Sequence, residues 1–162
     1  SSAASDVYKR QLAKLPITKK DRILDIGCGK GRAMAIMAKF AFGEVAGIEI
    51  SNRLQETANK NFQKLGLKQC NTILADAAEF TDYDRFNYIY LFNPLPLPVF
   101  DQAMRRLCES IRLHPRHCTL IYLNPVCHDS LVEKTPFRLV KTYHSWCSWF
   151  EYRIYETTGY KE

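Results

Sequence analysis

The sequence predicts an α/β fold, in which a mostly parallel sheet of seven strands has helices on both faces and a C-terminal antiparallel hairpin. Five short apolar segments alternate with helix-like segments, an order that is typical of parallel sheets. Two more strand-like segments then follow each other around a turn near residues 145–148, so one of them runs against the other strands. The length of 162 residues suits one domain with a proper core.

The strands are identified by composition and the helices by the residues at their ends. Gly43 is expected to end the helix that follows the first strand, while Ser51 and Gly66 are expected to cap the next helix. Residues 93–98 contain three prolines, which break regular structure. The predicted strands are 22–26, 45–50, 71–75, 86–92, 118–123, 137–144 and 150–157. The predicted helices are 32–41, 51–65, 99–112 and 128–133.

The beginning of the chain is set apart by its sequence. Ser1 to Gln11 lack a starting Met and resemble translated sequencing-adaptor sequence. We therefore expect residues 1–11 to be a non-native or disordered leader and residues 12–162 to form the domain. Residues 1–40 contain nine Lys and Arg against three Asp, which accounts for the whole net charge of +6. This surplus favours an anionic substrate, such as a phosphorylated compound or nucleic acid; the alternative is a set of solvated lysines.

Other classes of protein are excluded by composition. No run of about 18 apolar residues predicts a membrane span, and no signal peptide is visible. The cysteines have no paired spacing and are interpreted as free thiols in a reducing cytoplasm. They are Cys28, Cys70, Cys108, Cys118, Cys127 and Cys147. Nothing in the sequence indicates an oligomeric state.

A glycine-rich segment, Asp25-Ile26-Gly27-Cys28-Gly29-Lys30-Gly31, joins the first strand to the first helix. Glycines at alternate positions allow a tight turn and let a ligand lie against bare main chain. The acidic residue before them suits a ligand with an amine or a sulfonium and suits a diphosphate poorly. The dinucleotide fingerprint G-x-G-x-x-G requires a third glycine where this chain has Arg32.

The pattern D-x-G-x-G-x-G resembles the first motif of the class I S-adenosylmethionine (SAM) methyltransferases, and residues 15–160 resemble their Rossmann-like core. The resemblance implies SAM as the cofactor, with Asp25 and the three loop glycines beside its methionine part. Glu49 would accept hydrogen bonds from the ribose hydroxyls, Asp76 from the adenine amino group, and the backbone N–H of Ala77 would reach the adenine ring. The implied cofactor site is Asp25, Gly27, Cys28, Gly29, Gly31, Glu49, Ile50, Asp76, Ala77 and Asn93.

Two of these residues have structural alternatives. Asp76 is also suited to cap a short helix over residues 77–80. Asn93 stands in the segment Phe92-Asn93-Pro94-Leu95-Pro96, which resembles the N-P-P-aromatic motif of amino-group methyltransferases. Pro96 replaces the aromatic residue of that motif, so the nitrogen acceptors of that group are in question, and the segment is more similar to that of small bacterial methyltransferases with Phe-Asn-Pro after the fourth strand. The resemblance gives Asn93 the role of positioning the methyl acceptor, while a structural Asn-Pro turn is the alternative.

No general base stands out for an oxygen acceptor. His114 and His117 precede the fifth strand, whereas His128 follows it and lies at the end of the sheet expected to bind ligands. The spacing of histidines and cysteines around this strand matches no metal site, so no metal is predicted. The aromatic residues of the hairpin are interpreted as packing rather than a nucleic-acid platform. They are Tyr143, Trp146, Trp149, Phe150, Tyr152 and Tyr155.

The sequence therefore predicts a SAM-dependent methyltransferase with an unidentified acceptor. A non-catalytic module that binds SAM or another nucleotide remains open, because neither a base nor a substrate domain is evident. A nicotinamide-dependent oxidoreductase is the other alternative, since a strand-end carboxylate such as Glu49 suits the ribose of either cofactor.

Overall fold

A computed structural model describes residues 2–92, 95–144 and 151–158 of the chain. The strands are β1 Arg22–Ile26, β2 Glu44–Glu49, β3 Cys70–Leu74, β4 Tyr88–Phe92, β5 Cys118–Leu123, β6 Arg138–His144 and β7 Glu151–Thr157. The helices are α1 Ser2–Leu12, α2 Arg32–Met37, α3 Asn52–Leu65, α4 Leu97–Leu113 and α5 His128–Lys134.

All seven strands form one sheet in the order β3-β2-β1-β4-β5-β7-β6. Strands β1 to β5 pair in parallel, and β7 is antiparallel to both β5 and β6. The predicted fold class is therefore confirmed, including the antiparallel hairpin at the end. The predicted turn at 145–148 lies outside the described residues.

The strand order reverses at β1, which lies between β2 and β4. Helix α2 follows β1 on one face of the sheet, while α4 follows β4 on the other. The connections therefore leave the carboxyl ends of β1 and β4 in opposite directions and open a crevice between them. Ligands of open α/β sheets bind in such a crevice.

Each face of the sheet has its own apolar layer. Met34 and Met37 of α2 and Phe62 of α3 pack with Tyr8 and Leu12 of α1 on the first face. The second face is covered by α4 and α5, whose buried side chains are Phe100, Ala103, Met104, Leu107, Cys108, Ile111 and Leu131. Burial on both faces explains why β4 and β5 are continuous apolar runs rather than alternating ones.

The first helix after the glycine-rich loop is shorter than predicted. Helix α2 ends at Met37, and Gly43 is not its cap. A side chain at Gly43 would place its Cβ 2.1 Å from the backbone oxygen of Lys19, so the close approach of two backbones requires this glycine. The predicted caps of α3 are confirmed: the Ser51 side chain accepts from the Leu54 N–H at 3.3 Å, and Gly66 is left-handed with φ 66°.

Residues 2–12, most of which we expected to belong to a leader, form helix α1. The Tyr8 ring is 2% exposed and its centroid lies 4.8 Å from that of Tyr90. The burial of this ring orders the helix against the sheet. The boundary predicted at residue 11 between a non-native segment and the domain stays a prediction.

No helix among the described residues is long and apolar enough to cross a bilayer.

Candidate functional site

The glycine-rich loop stands at the carboxyl end of β1, where the crevice opens. Its Gly27 and Cys28 N–H groups both donate to the Ile48 carbonyl at 2.9 Å, which fixes the loop to the end of β2. Gly29 is left-handed with φ 54°, and a Cβ built on it meets nothing within 4 Å. The main chain at Gly29 therefore faces open space, as a ligand-binding loop requires.

Gly31 is required for a different reason, the close packing of a side chain against the loop. Its φ is 82°, and a Cβ there would lie 2.5 Å from Cζ of Phe62. Phe62 of α3 thus packs directly on the loop and is itself only 4% exposed. The contact holds α3 against the start of α2 and supports the loop from behind.

Glu49 ends β2 and lies against the loop with both carboxylate oxygens engaged. Its Oε1 accepts from the Gly29 N–H at 3.0 Å, and its Oε2 accepts from the Ser51 N–H at 2.8 Å. The residue is 8% exposed. Each carboxylate oxygen has two acceptor positions, so both retain one for a ligand. Glu49 therefore braces the loop and offers a bidentate acceptor.

Asp25 is a second carboxylate at the loop. It pairs with Gly47 of β2 and Tyr90 of β4 in the sheet and is 3% exposed. Burial and then the charge of Glu49 raise the pKa of Asp25 to about 8. No hydrogen-bond donor to its carboxylate lies among the described residues. A cation bound in the crevice would lower the pKa of Asp25 again, because an opposite charge favours the ionised carboxylate.

Asp25 is expected to make the free protein less stable as the pH rises. Its pKa in the unfolded chain is about 3.9, so between about pH 4 and 8 the folded state binds the extra proton. Stability is then lost with a slope of up to about 1.4 kcal/mol per pH unit. Asp25→Asn should remove this loss of stability. The free energy of unfolding of the variant, relative to that of the wild type, should therefore rise from about pH 4 to about pH 8 and stay constant above about pH 8. Urea unfolding at several pH values measures it, and parallel stability curves would contradict the buried carboxylate.

Cys28 is a packed thiol in the loop. Burial, followed by the charges of Asp25 and Glu49, raises the pKa of Cys28 well above its usual value. The side chain is 7% exposed. It therefore stays protonated, which argues against a thiolate nucleophile at this position.

The predicted residues beyond β2 lie along the same edge. The Ala75 N–H donates to the Glu49 carbonyl at 3.0 Å, which places the end of β3 beside Glu49. Asp76 is exposed, and its Oδ1 accepts from the Ala78 N–H at 2.9 Å. Residues 77–79 form a turn rather than the short helix considered above. Asp76 thus caps a turn through one oxygen and keeps the other for a ligand.

Two apolar residues complete this part of the edge. Ile50 follows Glu49 with 68% of its surface exposed, whereas Ala77 is 9% exposed. An exposed isoleucine beside buried carboxylates offers a surface on which a planar ring can pack. Asn93, the residue predicted to position the acceptor, lies outside the described residues.

The histidines separate by position, as the sequence predicted. His114 and His117 lie at the amino ends of the strands, where their Nε2 atoms are 3.2 Å from Asp84 and 3.6 Å from Glu156. His128 begins α5, beyond the carboxyl end of β5. Its Nδ1 lies 2.6 Å from the hydroxyl of Tyr155, a residue that the sequence analysis assigned to packing alone. No cluster of three or more metal-binding side chains occurs in the described parts of the chain.

Comparison with known proteins agrees with this arrangement. The family model described as a methyltransferase domain matches residues 17–153. A protein-L-isoaspartate O-methyltransferase of Rhizobium meliloti is 29% identical over 125 residues, which cover 74% of this chain and 61% of the relative. One of Thermosipho melanesiensis is 34% identical over 79 residues, which cover 47% of this chain and 40% of the relative. The chain thus spans 61% and 40% of these curated relatives.

Solved structures extend the comparison to the whole fold. Magnesium protoporphyrin IX methyltransferase from Synechocystis PCC 6803, solved with bound SAM, superposes with a TM-score of 0.69 at 16% identity. The match covers 96% of this chain and 79% of that one. At this identity the likeness concerns the fold.

Proposed function

Because this chain belongs to the family defined by that methyltransferase domain, we propose that it transfers a methyl group from SAM to an acceptor, as a class I enzyme. The observation that carries the proposal is the pair of buried carboxylates around a bare glycine backbone. Asp25 and Glu49 lie on either side of a loop whose Gly29 faces open space. Such a site favours a ligand that has a positive charge and a diol.

The predicted site residues lie along the carboxyl edge of the sheet in the same order as the parts of SAM that they would contact. Asp25, which lacks a donor among the described residues, would receive the ammonium group of the methionine part. Glu49 would accept from both ribose hydroxyls, and Ile50 would pack against the adenine ring. The oxygen of Asp76 that does not accept from Ala78 would accept from the adenine amino group, beside the Ala77 N–H.

Methyl transfer requires mainly that the acceptor atom, the methyl group and the sulfur are aligned. Bound SAM supplies an electrophilic methyl group on a sulfonium, so the protein has to orient the acceptor and exclude water. Phe92 ends β4 next to Leu123 at the end of β5, and these two strand ends border the crevice on the acceptor side. We assign the positioning of the acceptor to Asn93, directly after Phe92.

A nicotinamide cofactor fits less well. Its diphosphate would meet the buried carboxylate of Glu49 at the loop, where like charges repel strongly, and would find no cationic partner in Asp25. Arg32 occupies the position of the third glycine of a dinucleotide loop and begins helix α2. These features favour SAM over the oxidoreductase alternative.

We further propose that the acceptor is anionic, because positive charge is concentrated in the part of the chain that contains α2 and α3. Residues 12–68, which include β1, α2, β2 and α3, contain eleven Lys and Arg against five Asp and Glu; residues 69–162 contain ten against eleven. Lys30, Arg32 and Lys64 line a cavity of about 240 Å³ between the loop and α3. None of these three has an ion-pair partner within the described residues. Such a surface attracts anions at long range.

The charged face leads to a testable expectation. Lys30→Glu together with Lys64→Glu should slow methylation of an anionic acceptor about tenfold at low salt. The difference should shrink as salt is added, because salt screens exposed charges. Arg105→Glu, an exposed change on the opposite face, is the control and should change the rate less than twofold. Equal rates for both variants at low salt would show that the face does not bind the acceptor.

Transfer of radiolabelled methyl from SAM to components of a cell extract tests the function itself. We expect label in one acceptor fraction, retained on an anion-exchange resin, and S-adenosylhomocysteine as the other product. Binding of SAM without label in any fraction would favour the non-catalytic alternative.

We assign the protein to the reducing cytoplasm, in agreement with thiols at Cys28, Cys70, Cys118 and Cys127.

A further inference from the structure

His128 occupies a position from which it can contact the acceptor. The ends of β4 and β5 are paired, Phe92 with Leu123, and α5 begins five residues after that end. The Ser130 hydroxyl donates to Asp101 of α4 at 2.6 Å, so the start of α5 is held beside the start of α4. His128 therefore lies where the elements that follow β4 and β5 meet.

The imidazole ring of His128 is fixed rather than free to rotate. Its Nδ1 lies 2.6 Å from the hydroxyl of Tyr155, which is fully buried in the sheet. The loop before the ring is held as well, because the Cys127 N–H donates to the Tyr122 hydroxyl at 3.2 Å. Two tyrosines from β5 and β7 thus set the position and orientation of one half-buried histidine.

The charges around Tyr155 indicate which way its hydrogen bond runs. Arg153 lies on the same face of β7, and its Nε donates to the Glu151 carboxylate at 2.9 Å. Burial, and to a smaller extent the charges of Glu151 and Asp129, raise the pKa of Tyr155, while the neighbouring Arg153 guanidinium acts in the opposite direction. A cation beside the phenol oxygen makes the hydroxyl a better donor and a poorer acceptor. If Tyr155 donates to Nδ1, the ring proton of neutral His128 is on Nε2.

The Nε2 atom is the remaining polar atom of the ring. In the described part of the chain it has no hydrogen-bond or ion-pair partner. We propose that the Nε2–H of His128 donates a hydrogen bond to an oxygen atom of the methyl acceptor, with Tyr155 as the positioning residue. His128 is then a substrate-binding donor and not a general base. This inference rests on the proposed function and deepens it, since it names a contact with an acceptor that carries an oxyanion or a carbonyl.

The tautomer is measured directly. In protein labelled with ¹⁵N-histidine, long-range ¹H–¹⁵N correlations distinguish a proton on Nε2 from one on Nδ1, and His128→Gln identifies the signal. We expect the proton of neutral His128 on Nε2 in the wild type and a mixture of tautomers in Tyr155→Phe. A wild-type proton on Nδ1 would overturn the proposal, because Nε2 would then have no hydrogen to donate.

Methyl transfer to a dilution series of bacterial extract tests the contact with the acceptor. His128→Phe should raise the apparent KM for the acceptor fraction about tenfold, the effect of one lost hydrogen bond. The Kd of S-adenosylhomocysteine should stay within about twofold of the wild type, since this contact is not with the cofactor. His128→Gln retains an N–H donor and should recover part of the loss. His117→Gln, at the opposite end of the sheet, should have no effect.

The outcomes separate this inference from the proposed function. If the wild type binds neither SAM nor S-adenosylhomocysteine, the proposed function fails. If the wild type transfers methyl but His128→Phe keeps the wild-type KM, only the role of His128 fails. Melting curves of each variant show whether a loss of activity reflects unfolding; a KM change in a folded variant supports the contact.

Discussion

Replacement of Glu49 by alanine is expected to weaken SAM binding at least about 100-fold, which corresponds to about 2.8 kcal/mol. The change removes a bidentate acceptor for the ribose hydroxyls. It also leaves the Gly29 and Ser51 N–H groups, now held at 3.0 and 2.8 Å, without their carboxylate. Hydrogen bonds to a charged group each contribute about 1.5–3 kcal/mol, so the loss of several accounts for this effect. Calorimetric titration of S-adenosylhomocysteine measures it.

Glu44 provides the matched control at the other end of the same strand. It pairs with Arg85 at 2.9 Å, and this Arg85 partner lowers its pKa in spite of partial burial. Glu44→Ala should lower stability slightly and leave the Kd of S-adenosylhomocysteine within about twofold, since a half-exposed ion pair contributes about 1 kcal/mol or less. If Glu44→Ala and Glu49→Ala weaken binding equally, the loss of affinity would come from distortion of strand β2 and not from lost contacts between Glu49 and the cofactor.

Gly31→Ala is expected to destabilise the domain by about 3 kcal/mol. The new Cβ would lie 2.5 Å from Cζ and 2.7 Å from Cε1 of Phe62, so this buried ring would have to move from its packed position. Overpacking of this kind costs about 1–3 kcal/mol, and a left-handed backbone costs a residue with a Cβ about 1–2 kcal/mol more. Urea unfolding followed by tryptophan fluorescence measures the difference.

Gly66→Ala separates the two causes. Gly66 has a left-handed φ of 66°, but a Cβ there meets nothing within 4 Å. Only the backbone term remains, so this variant should lose about 1 kcal/mol. A loss as large as that of Gly31→Ala would indicate that Phe62 moves aside without cost and that the packing argument at the loop is wrong.

The clustering of the proposed site residues could be predicted where they are close in sequence. Asp25, Gly29 and Glu49 were predicted to lie together because a strand, a glycine-rich turn and a second strand with a terminal acid follow one another along the chain. The parallel sheet then brings the ends of β1 and β2 together, as the hydrogen bonds from the loop to Ile48 and Glu49 show. For these residues, adjacency in the fold follows from the order of the elements.

The predictions failed or were incomplete where the role of a residue depends on a contact with a residue that is distant in sequence. Gly43 was expected to cap a helix, but the oxygen of Lys19 approaches it so closely that no side chain fits. The link from His128 to Tyr155 spans 27 residues and crosses from a helix to the last strand. Only the register of β5 with β7 brings these two side chains together. The periodicity of a single sequence contains no such information.

The two acidic groups at the loop also explain why the cofactor is easier to assign than the acceptor. Asp25 and Glu49 are both buried, and the carboxylate of Glu49 is held by the Gly29 and Ser51 N–H groups. The proposed acceptor side lies at the ends of β4 and β5 and includes the half-buried His128, a side chain that different substrates can use in different ways. The excess of Lys and Arg in residues 12–68 supports the proposal of an anionic acceptor, and the proposed His128 donor suits an oxyanion or a carbonyl oxygen; the two arguments are independent of each other.

Isothermal titration of the purified protein with S-adenosylhomocysteine is the most direct measurement of the central claim. We expect one molecule to bind per chain with a Kd in the micromolar range, about −7 to −8 kcal/mol. NAD, added in the same way, should produce no saturable heat. Absence of binding up to about 1 mM S-adenosylhomocysteine, a free energy weaker than about −4 kcal/mol, would contradict the assignment of this loop to SAM.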